Sequence, residues 1–389
     1  GYTTGSNITL TPRCLPNSYV LTINPNEGTY NGTTSASPVP GKFGTEYEVA
    51  NPTRTGYTFT GWTKSGAGSW NSETKKYTFG AGAGTLTANW TPIKYNIKYE
   101  LDGGVLSTTN PTEYTVETET FTLNNPTKEG YIFKGWSTSL TSTSSYNATM
   151  TVEKGSTGDK EFRAVWQIIT YNISYNLNGG TLTNVSNPTS YNITTETFTL
   201  NNPTRKGYTF KGWTGSNGNT AQTSVSIAKG SMGNKSYTAN WTPIKYSIKY
   251  ELDGGVLSAA NPTEYTIETE TFTLNNPTKE GYTFKGWSTS LTSTSSYNAT
   301  MTVEKGSTGD KEFRAVWQEN TNTLYKVNHC TKDLNASTYT CESETKTGTT
   351  NSVIKVENLK KTIKGFKYSK GQVGGVDATT TTILADGSR

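Results

Sequence analysis

One histidine, His329, stands in 389 residues, beside three cysteines and three methionines. A lone imidazole excludes histidine metal centres and most histidine-based acid–base chemistry. Three thiols cannot complete a four-cysteine zinc site. Apolar residues are 31% of the chain, where roughly 45–50% with glycine is usual for a globular domain. No apolar run approaches the roughly 18 residues of a membrane helix, so no membrane segment is expected. Residues 1–7 lack a basic start followed by an apolar stretch, so no secretory signal is read there. There is no Lys/Arg cluster interleaved with aromatics, no P-loop and no zinc-finger spacing. A net charge of +5 is dilute over this length, and nucleic acid is not expected as a partner. Yet nine Trp, 24 Tyr and 12 Phe, with 17% charged residues, are the reverse of a disordered composition. Threonine is the commonest residue, at 75. Threonine and aromatics favour pleated, half-buried surfaces. A thin apolar supply over this length therefore indicates a β-rich chain with several small cores.

An internal repeat organises those cores. A Gly-Trp pair recurs with Trp62, Trp136, Trp213 and Trp287, and a second tryptophan closes each unit at Trp90, Trp166, Trp241 and Trp317. A turn opens each unit, at Asp102-Gly103-Gly104, Asn178-Gly179-Gly180 and Asp253-Gly254-Gly255, with Asn26-Glu27-Gly28 as a weaker first copy. Residues 92–167 and 243–318 differ at only five positions, among them Val116/Ile267 and Ile132/Thr283, which points to duplication in pairs. The repeats read as 17–91, 92–167, 168–242 and 243–318. Residues 1–16 precede them and a different module, 319–389, follows. Within a unit, Tyr95, Ile97 and Tyr99 alternate with polar residues, and so do Tyr114, Val116 and Thr118. Both runs have the period of a half-buried strand. Pro126 interrupts the ladder after Phe121-Thr122-Leu123. No stretch of 11 residues has helical period. The fold class expected is all-β to α+β, a tandem array of small modules forming an elongated rod of about 120–150 Å.

The repeated aromatics invite a sugar-binding reading. Trp136 lies beside Tyr131 and Phe133, however, so a tryptophan of this kind reads as the packing signature of its repeat. The preceding glycine suits a bulge that lets Trp136 share its neighbours' face. Glu117/Glu119 and Glu268/Glu270 resemble catalytic pairs, but on a strand they share one solvated face with no partner acid evident. Catalytic residues, metal ligands and cofactors are not expected, and the chain does not read as an enzyme.

The run "YNISYNLNGGTLTN" at 171–184, with "NPTRKGYTFKGW" and "YTANW" to 241, resembles the Listeria–Bacteroides repeat, of which the B-repeat of internalin B is an example. The resemblance covers roughly residues 17–318. It implies β-grasp-like modules in secreted or wall-attached bacterial surface proteins, with no catalytic activity. It implies an extracellular or bacterial cell-surface location. The β-grasp helix has no counterpart in this sequence. Residues 319–389 resemble the MucBP-like repeat of bacterial adhesins, through Leu324-Tyr325-Lys326-Val327, Gly348-Thr349-Thr350 and Gly365-Phe366.

Thr9-Leu10-Thr11 aligns with Thr85-Leu86-Thr87, and Cys14 with Trp90. Residues 7–14 thus read as a spare closing strand, while 319–389 reads as a module lacking its last strand. The expectation is a donor strand, with Ile8, Leu10 and Cys14 completing the C-terminal module of the next subunit and propagating a head-to-tail filament. Cys330 and Cys341 flank a hairpin and are the favoured disulfide. A donated strand would bring Cys14 of one subunit near Cys330 of the next, so that pairing stays open. The function expected is a structural subunit or stalk of an extracellular fibre or surface adhesin that self-associates. The alternative is an adhesin segment recognising a host or cell-surface glycan or protein.

Overall fold

The computed structural model describes Gly5 and residues 11–388. Ile8 and Leu10 lie outside the described residues. Cys14 is an exposed free thiol, and residues 11–17 form no strand. Apart from a short 3-10 turn at Val356–Leu359, the described elements are strands, paired in small sheets one repeat after another.

Repeat 2 shows the plan. Its opening strand, Tyr95–Glu100, buries Ile97 and turns Asn96 and Lys98 outward. The closing strand, Lys160–Ile168, runs parallel to it, with Tyr99 opposite Phe162. On its other side the closing strand runs antiparallel to the Gly-aromatic strand, Tyr131–Ser137. Glu113–Tyr114 flanks the opening strand. Phe121–Thr122 pairs with Thr151–Val152 in a second, smaller sheet. The last strand of the repeat is therefore internal to its sheet. Repeats 1, 3 and 4 have the same closing-strand neighbours.

The core of repeat 2 is Ile97, Tyr114, Leu123, Trp136, Val152, Phe162 and Ala164. A register shift between Phe133 and Gly135 marks a bulge. Gly135 has φ +148°, and a Cβ there would strike the Asn147 carbonyl. The extra residue puts Trp136 on the same face as Phe133, where their rings meet edge-on at 5.5 Å. Trp136, Trp213 and Trp287 are fully buried. Their indole N–H groups donate to Asn125, Asn202 and Asn276 at 3.2, 3.0 and 3.2 Å. Trp62 is also buried, but its Nε1 has no partner among the described residues. The closing tryptophans differ. Trp90, Trp166, Trp241 and Trp317 are half-buried at the rim of each core. Their indoles donate to turn carbonyls, such as Leu101 at 3.1 Å and Leu252 at 3.0 Å.

One strand expectation is corrected. The alternation of Tyr114, Val116 and Thr118 is not a strand, because pairing stops at Tyr114 and Thr118 N–H donates back to Thr115 O at 3.1 Å. The Thr115 amide donates to the Thr118 hydroxyl at 2.9 Å, and the Glu117 amide donates to the Thr115 hydroxyl at 3.2 Å. These side-chain bonds compete with the ladder and turn the chain. Glu117 and Glu119 therefore do not share a strand face. Glu117 sits in the turn and Glu119 beyond it.

In the C-terminal module, Thr323–Thr331 pairs with Thr340–Gly348 over nine residue pairs, Cys330 facing Cys341. Those two cysteines form the disulfide. Val353–Lys355 pairs with Thr380–Thr382. Among the described residues, Tyr325 and Ile383 are the larger apolar side chains of this module that are buried.

The chain divides into two compact units. The first runs to Tyr171 and includes Tyr191–Thr195 and Lys229–Met232. The second takes Asn172–Ser190, Glu196–Ala228 and everything from Gly233 onward.

Two outcomes follow from the core. Trp136→Ala should destabilise repeat 2 by about 3–5 kcal/mol, read as lost hydrogen-exchange protection confined to residues 92–167. Burial pushes Tyr30, Tyr99, Tyr175 and Tyr250 up to about 12. Folding favours their neutral form, so this stabilisation is complete below the ordinary tyrosine pKa of about 10 and is lost as pH rises toward 12. The urea midpoint should fall between pH 10 and 12, and less so in the triple variant Tyr99→Phe, Tyr175→Phe, Tyr250→Phe.

Candidate functional site

The most strongly repeated arrangement outside the cores is the joint between successive modules. It is built from two turns. One precedes the Gly-aromatic strand and is closed by Tyr57 N–H donating to Arg54 O at 3.1 Å. Its counterparts close at Tyr131, Tyr208 and Tyr282 at 3.1, 3.2 and 3.1 Å. The third residue of each turn, Gly56, Gly130, Gly207 or Gly281, has φ between +75° and +78°. The other turn is the Thr115–Thr118 type, whose second residue projects toward the preceding module.

In the first unit, Val116 lies so close to Gly56 that a Cβ would overlap it, and Ile193 fills the same position at Gly130. In the second unit, Ile267 fills it at Gly207, while Ala385 and Thr350 do so at Gly281. Each glycine is thus a socket, and a β-branched side chain is its usual plug. The linker locks on top. Ile93, Ile169, Ile244 and Asn320 donate their amides to the four glycine carbonyls at 2.9, 2.9, 3.0 and 2.9 Å. At Gly281 the fully buried Thr350 adds a hydroxyl bond to the same carbonyl at 2.9 Å.

Around the plug the chemistry alternates. In repeats 1 and 3 an arginine covers the tyrosine, Arg54 over Tyr57 at 3.8 Å and Arg205 over Tyr208 at 3.7 Å. Each tyrosine then donates to a glutamate of the next repeat, Tyr57 to Glu117 at 2.9 Å and Tyr208 to Glu268 at 2.8 Å. Both phenols are raised, Tyr57 first by loss of water and then by Glu117, Tyr208 first by its bond to Glu268. In repeats 2 and 4 a lysine takes the arginine's place, Lys128 over Tyr131 at 4.1 Å and Lys279 over Tyr282 at 4.0 Å. Beside Tyr208 an open groove of about 410 Å³ is lined by Asn178, Arg205, Asn240, Trp241 and Glu268. It is shallow and polar, and its charged groups are engaged in the joint.

The glutamates of each pair are therefore divided in use. Glu117 and Glu268 hold the neighbouring repeat, while Glu119 and Glu270 pair with Lys154 and Lys305 on their own. Nothing in one repeat's sequence shows the plug, because its partner lies in another repeat. The signal that marks it is the side-chain pattern Thr/Asn-Val/Ile-x-Thr just after the buried tyrosine.

Residues 95–165, 171–238 and 246–316 match the Listeria–Bacteroides repeat domain, and residues 19–94 match the divergent InlB B-repeat domain. The chain belongs to the Listeria–Bacteroides repeat family. A protein of Evansella cellulosilytica named "Putative Gly-rich membrane protein" is 30% identical over 274 residues, which is 69% of this chain and 30% of that protein. A second, named "Putative membrane protein", is 27% identical over 271 residues, 67% of this chain and 38% of the relative. The chain thus spans about a third of these relatives' length. Repeats of this family occur in surface proteins. No helix among the described residues is long and apolar enough to cross a membrane.

The joint makes a mechanical prediction. Ile267→Ser should leave each repeat folded, with unchanged circular dichroism, yet free the 242–245 linker. Limited proteolysis at that linker should accelerate several-fold relative to the parent chain. An unchanged cleavage rate means that the plug does not hold the joint.

Proposed function

We propose that this chain is a structural segment of a bacterial surface protein, a stalk or fibre subunit whose repeats hold other modules at fixed spacing. The observation that carries the reading is the joint. The same glycine socket, filled from the next module and tied by the same linker hydrogen bond, occurs at Gly56, Gly130, Gly207 and Gly281. A chain selected to bind small molecules needs a concave site, whereas one selected to transmit position needs constrained joints.

Head-to-tail strand donation extends this proposal. In every repeat the opening strand carries a parallel closing strand. In the C-terminal module the corresponding Thr323–Thr331 strand pairs only with Thr340–Gly348 among the described residues. Gly387 approaches the Leu324 carbonyl, and among the described residues no strand pairs with the edge beyond it. Such an edge is a template for an added strand.

A second reading rests on the resemblance of residues 319–389 to a MucBP-like repeat and on a cleft there of about 340 Å³, lined by His329, Thr331, Thr340, Glu342, Lys361 and Lys364. An adhesin would use it to hold a polar glycan or peptide, with saturable binding on a ligand array that Lys361→Ala weakens.

Immunogold labelling of intact cells tests the leading reading. Label should be on the surface and lost on protease shaving. Label that appears only after lysis removes the proposal.

A further inference from the structure

The joint after repeat 3 leaves room that the joint after repeat 1 fills. Both place an arginine over a tyrosine, but the two arginines end differently. Arg54 pairs with the carboxylate of Glu27, the middle residue of its opening turn. In repeat 3 that turn is Asn178-Gly179-Gly180, so a glycine stands where Glu27 does. The Arg205 Nε lies 3.4 Å from where a Cβ on Gly179 would be, and among the described residues Arg205 forms no ion pair. It rests on the Tyr208 ring at 3.7 Å and lines the open groove of about 410 Å³, a volume within the range of small-molecule sites.

Repeats 2 and 4 close the same ground with protein. There an aspartate opens the turn and an arginine of the closing strand holds it, Arg163 on Asp102 at 2.7 and 3.1 Å and Arg314 on Asp253 at 2.7 and 3.0 Å. Repeat 3 has Asn178 and Thr238 at those places. Opposite the bulge glycine, repeats 2 and 4 have Val165 and Val316, whereas repeat 3 has Asn240. The Asn240 amide donates to the Gly212 carbonyl at 3.1 Å, and among the described residues its own oxygen has no donor. Glu268 accepts from Tyr208 through one oxygen, and among the described residues its second has no partner. Repeat 3 is also the basic module, with five Lys/Arg and one glutamate. Repeats 2 and 4 each carry seven Lys/Arg and nine Asp/Glu.

We infer that this groove binds an acidic sugar, whose carboxylate pairs with Arg205 and whose hydroxyls donate to Glu268 and Asn240. Repeat 1 identifies the carboxylate, because there the chain itself puts one on the equivalent arginine. A planar guanidinium takes a carboxylate with two parallel hydrogen bonds. Glu268 accepts hydroxyls and repels a second negative group, so one carboxylate among hydroxyls fits better than phosphate. Trp241 on the groove wall offers an apolar surface to the sugar's C–H groups. The groove is separate from the cleft at His329, and the stalk reading neither requires this site nor falls with it.

The test is a titration of the 389-residue chain with glucuronate, read by the NMR signals of the Arg205 Nε–H and the Trp241 indole. Glucose, acetate and inorganic phosphate are the comparisons. Three variants borrow what other repeats carry at the same place, Gly179→Glu from repeat 1 and Arg205→Lys and Asn240→Val from repeats 2 and 4. Glu27 holds its turn position at φ +68°, so a glutamate at Gly179 is accommodated and supplies the carboxylate internally. Melting midpoints should match the parent. Glucuronate should move both signals saturably and bind about tenfold or more tightly than each comparison compound. Gly179→Glu should weaken it by about tenfold or more. Arg205→Lys should also weaken it, since lysine keeps the charge and loses the fork. Asn240→Val should weaken glucuronate and leave acetate unchanged. Glucuronate that moves neither signal at any concentration reached overturns the inference, as does undiminished binding by Gly179→Glu. Acetate or phosphate that binds as tightly as glucuronate also overturns it, because the groove then takes anions in general. Surface labelling of cells reports on the stalk reading independently of all these outcomes.

Discussion

Each of the four repeats depends on one pairing, the parallel contact between its first strand and its last. The closing strand fills the gap between the opening and Gly-aromatic strands, so neither has its full ladder until the end of the repeat arrives. In repeat 2 this joins Ile97 to Lys160 and Tyr99 to Phe162 across most of the module's length. Parallel pairing needs a long crossover, and here the crossover supplies the small second sheet and the Gly-aromatic strand. The core is then closed from two sides. Closure of so long a loop is a slow step in folding. A module without its closing strand keeps local hairpins and loses its sheet. Among the described residues Thr323–Thr331 has its hairpin partner, Thr340–Gly348, and its module buries two large apolar side chains, Tyr325 and Ile383.

Aromatic residues make such a small module sufficient. With few aliphatic side chains available, each core is assembled from rings that meet edge-on. Trp136 contacts Phe133 at 5.5 Å and Tyr99 at 5.9 Å, and Phe133 contacts Trp166 at 5.4 Å. Such pairs add about 0.5–1.5 kcal/mol beyond the area they bury. The glycine bulge is what permits this. Without the extra residue, Phe133 and Trp136 would alternate to opposite faces of the strand, and one of them would be left in water.

This is also why so much of the core was legible in the sequence. Gly135-Trp136 beside Tyr131 and Phe133 breaks period-two alternation at a glycine, and a bulge is the simplest way to restore a shared face. The opening strand was legible because Tyr95, Ile97 and Tyr99 keep strict alternation. The plug was not. Tyr114, Val116 and Thr118 also alternate, and only the hydroxyls of Thr115 and Thr118, bonding to nearby backbone, turn that run away from the ladder. Alternation reports a face and cannot say whether the face belongs to the same repeat.

The alternating joints explain why the duplicated pair, and not the single repeat, looks like the unit of growth. Repeats 1 and 3 present arginine over tyrosine to a following glutamate, while repeats 2 and 4 put lysine over tyrosine, and Tyr282 accepts from the Asn351 amide instead. Exposed ion pairs and their hydrogen bonds contribute little, about 0–1 kcal/mol each. They do not hold the modules together so much as discriminate among neighbours. A like-charged or unpaired neighbour costs more than a matched one contributes. The position itself is fixed by shape, through a glycine that leaves room and a side chain that fills it, branched at three joints and Ala385 with Thr350 at Gly281. Shape is common to all four joints and charge is not. An array built this way can lengthen by whole pairs without redesigning any contact, which is what the near-identity of residues 92–167 and 243–318 records.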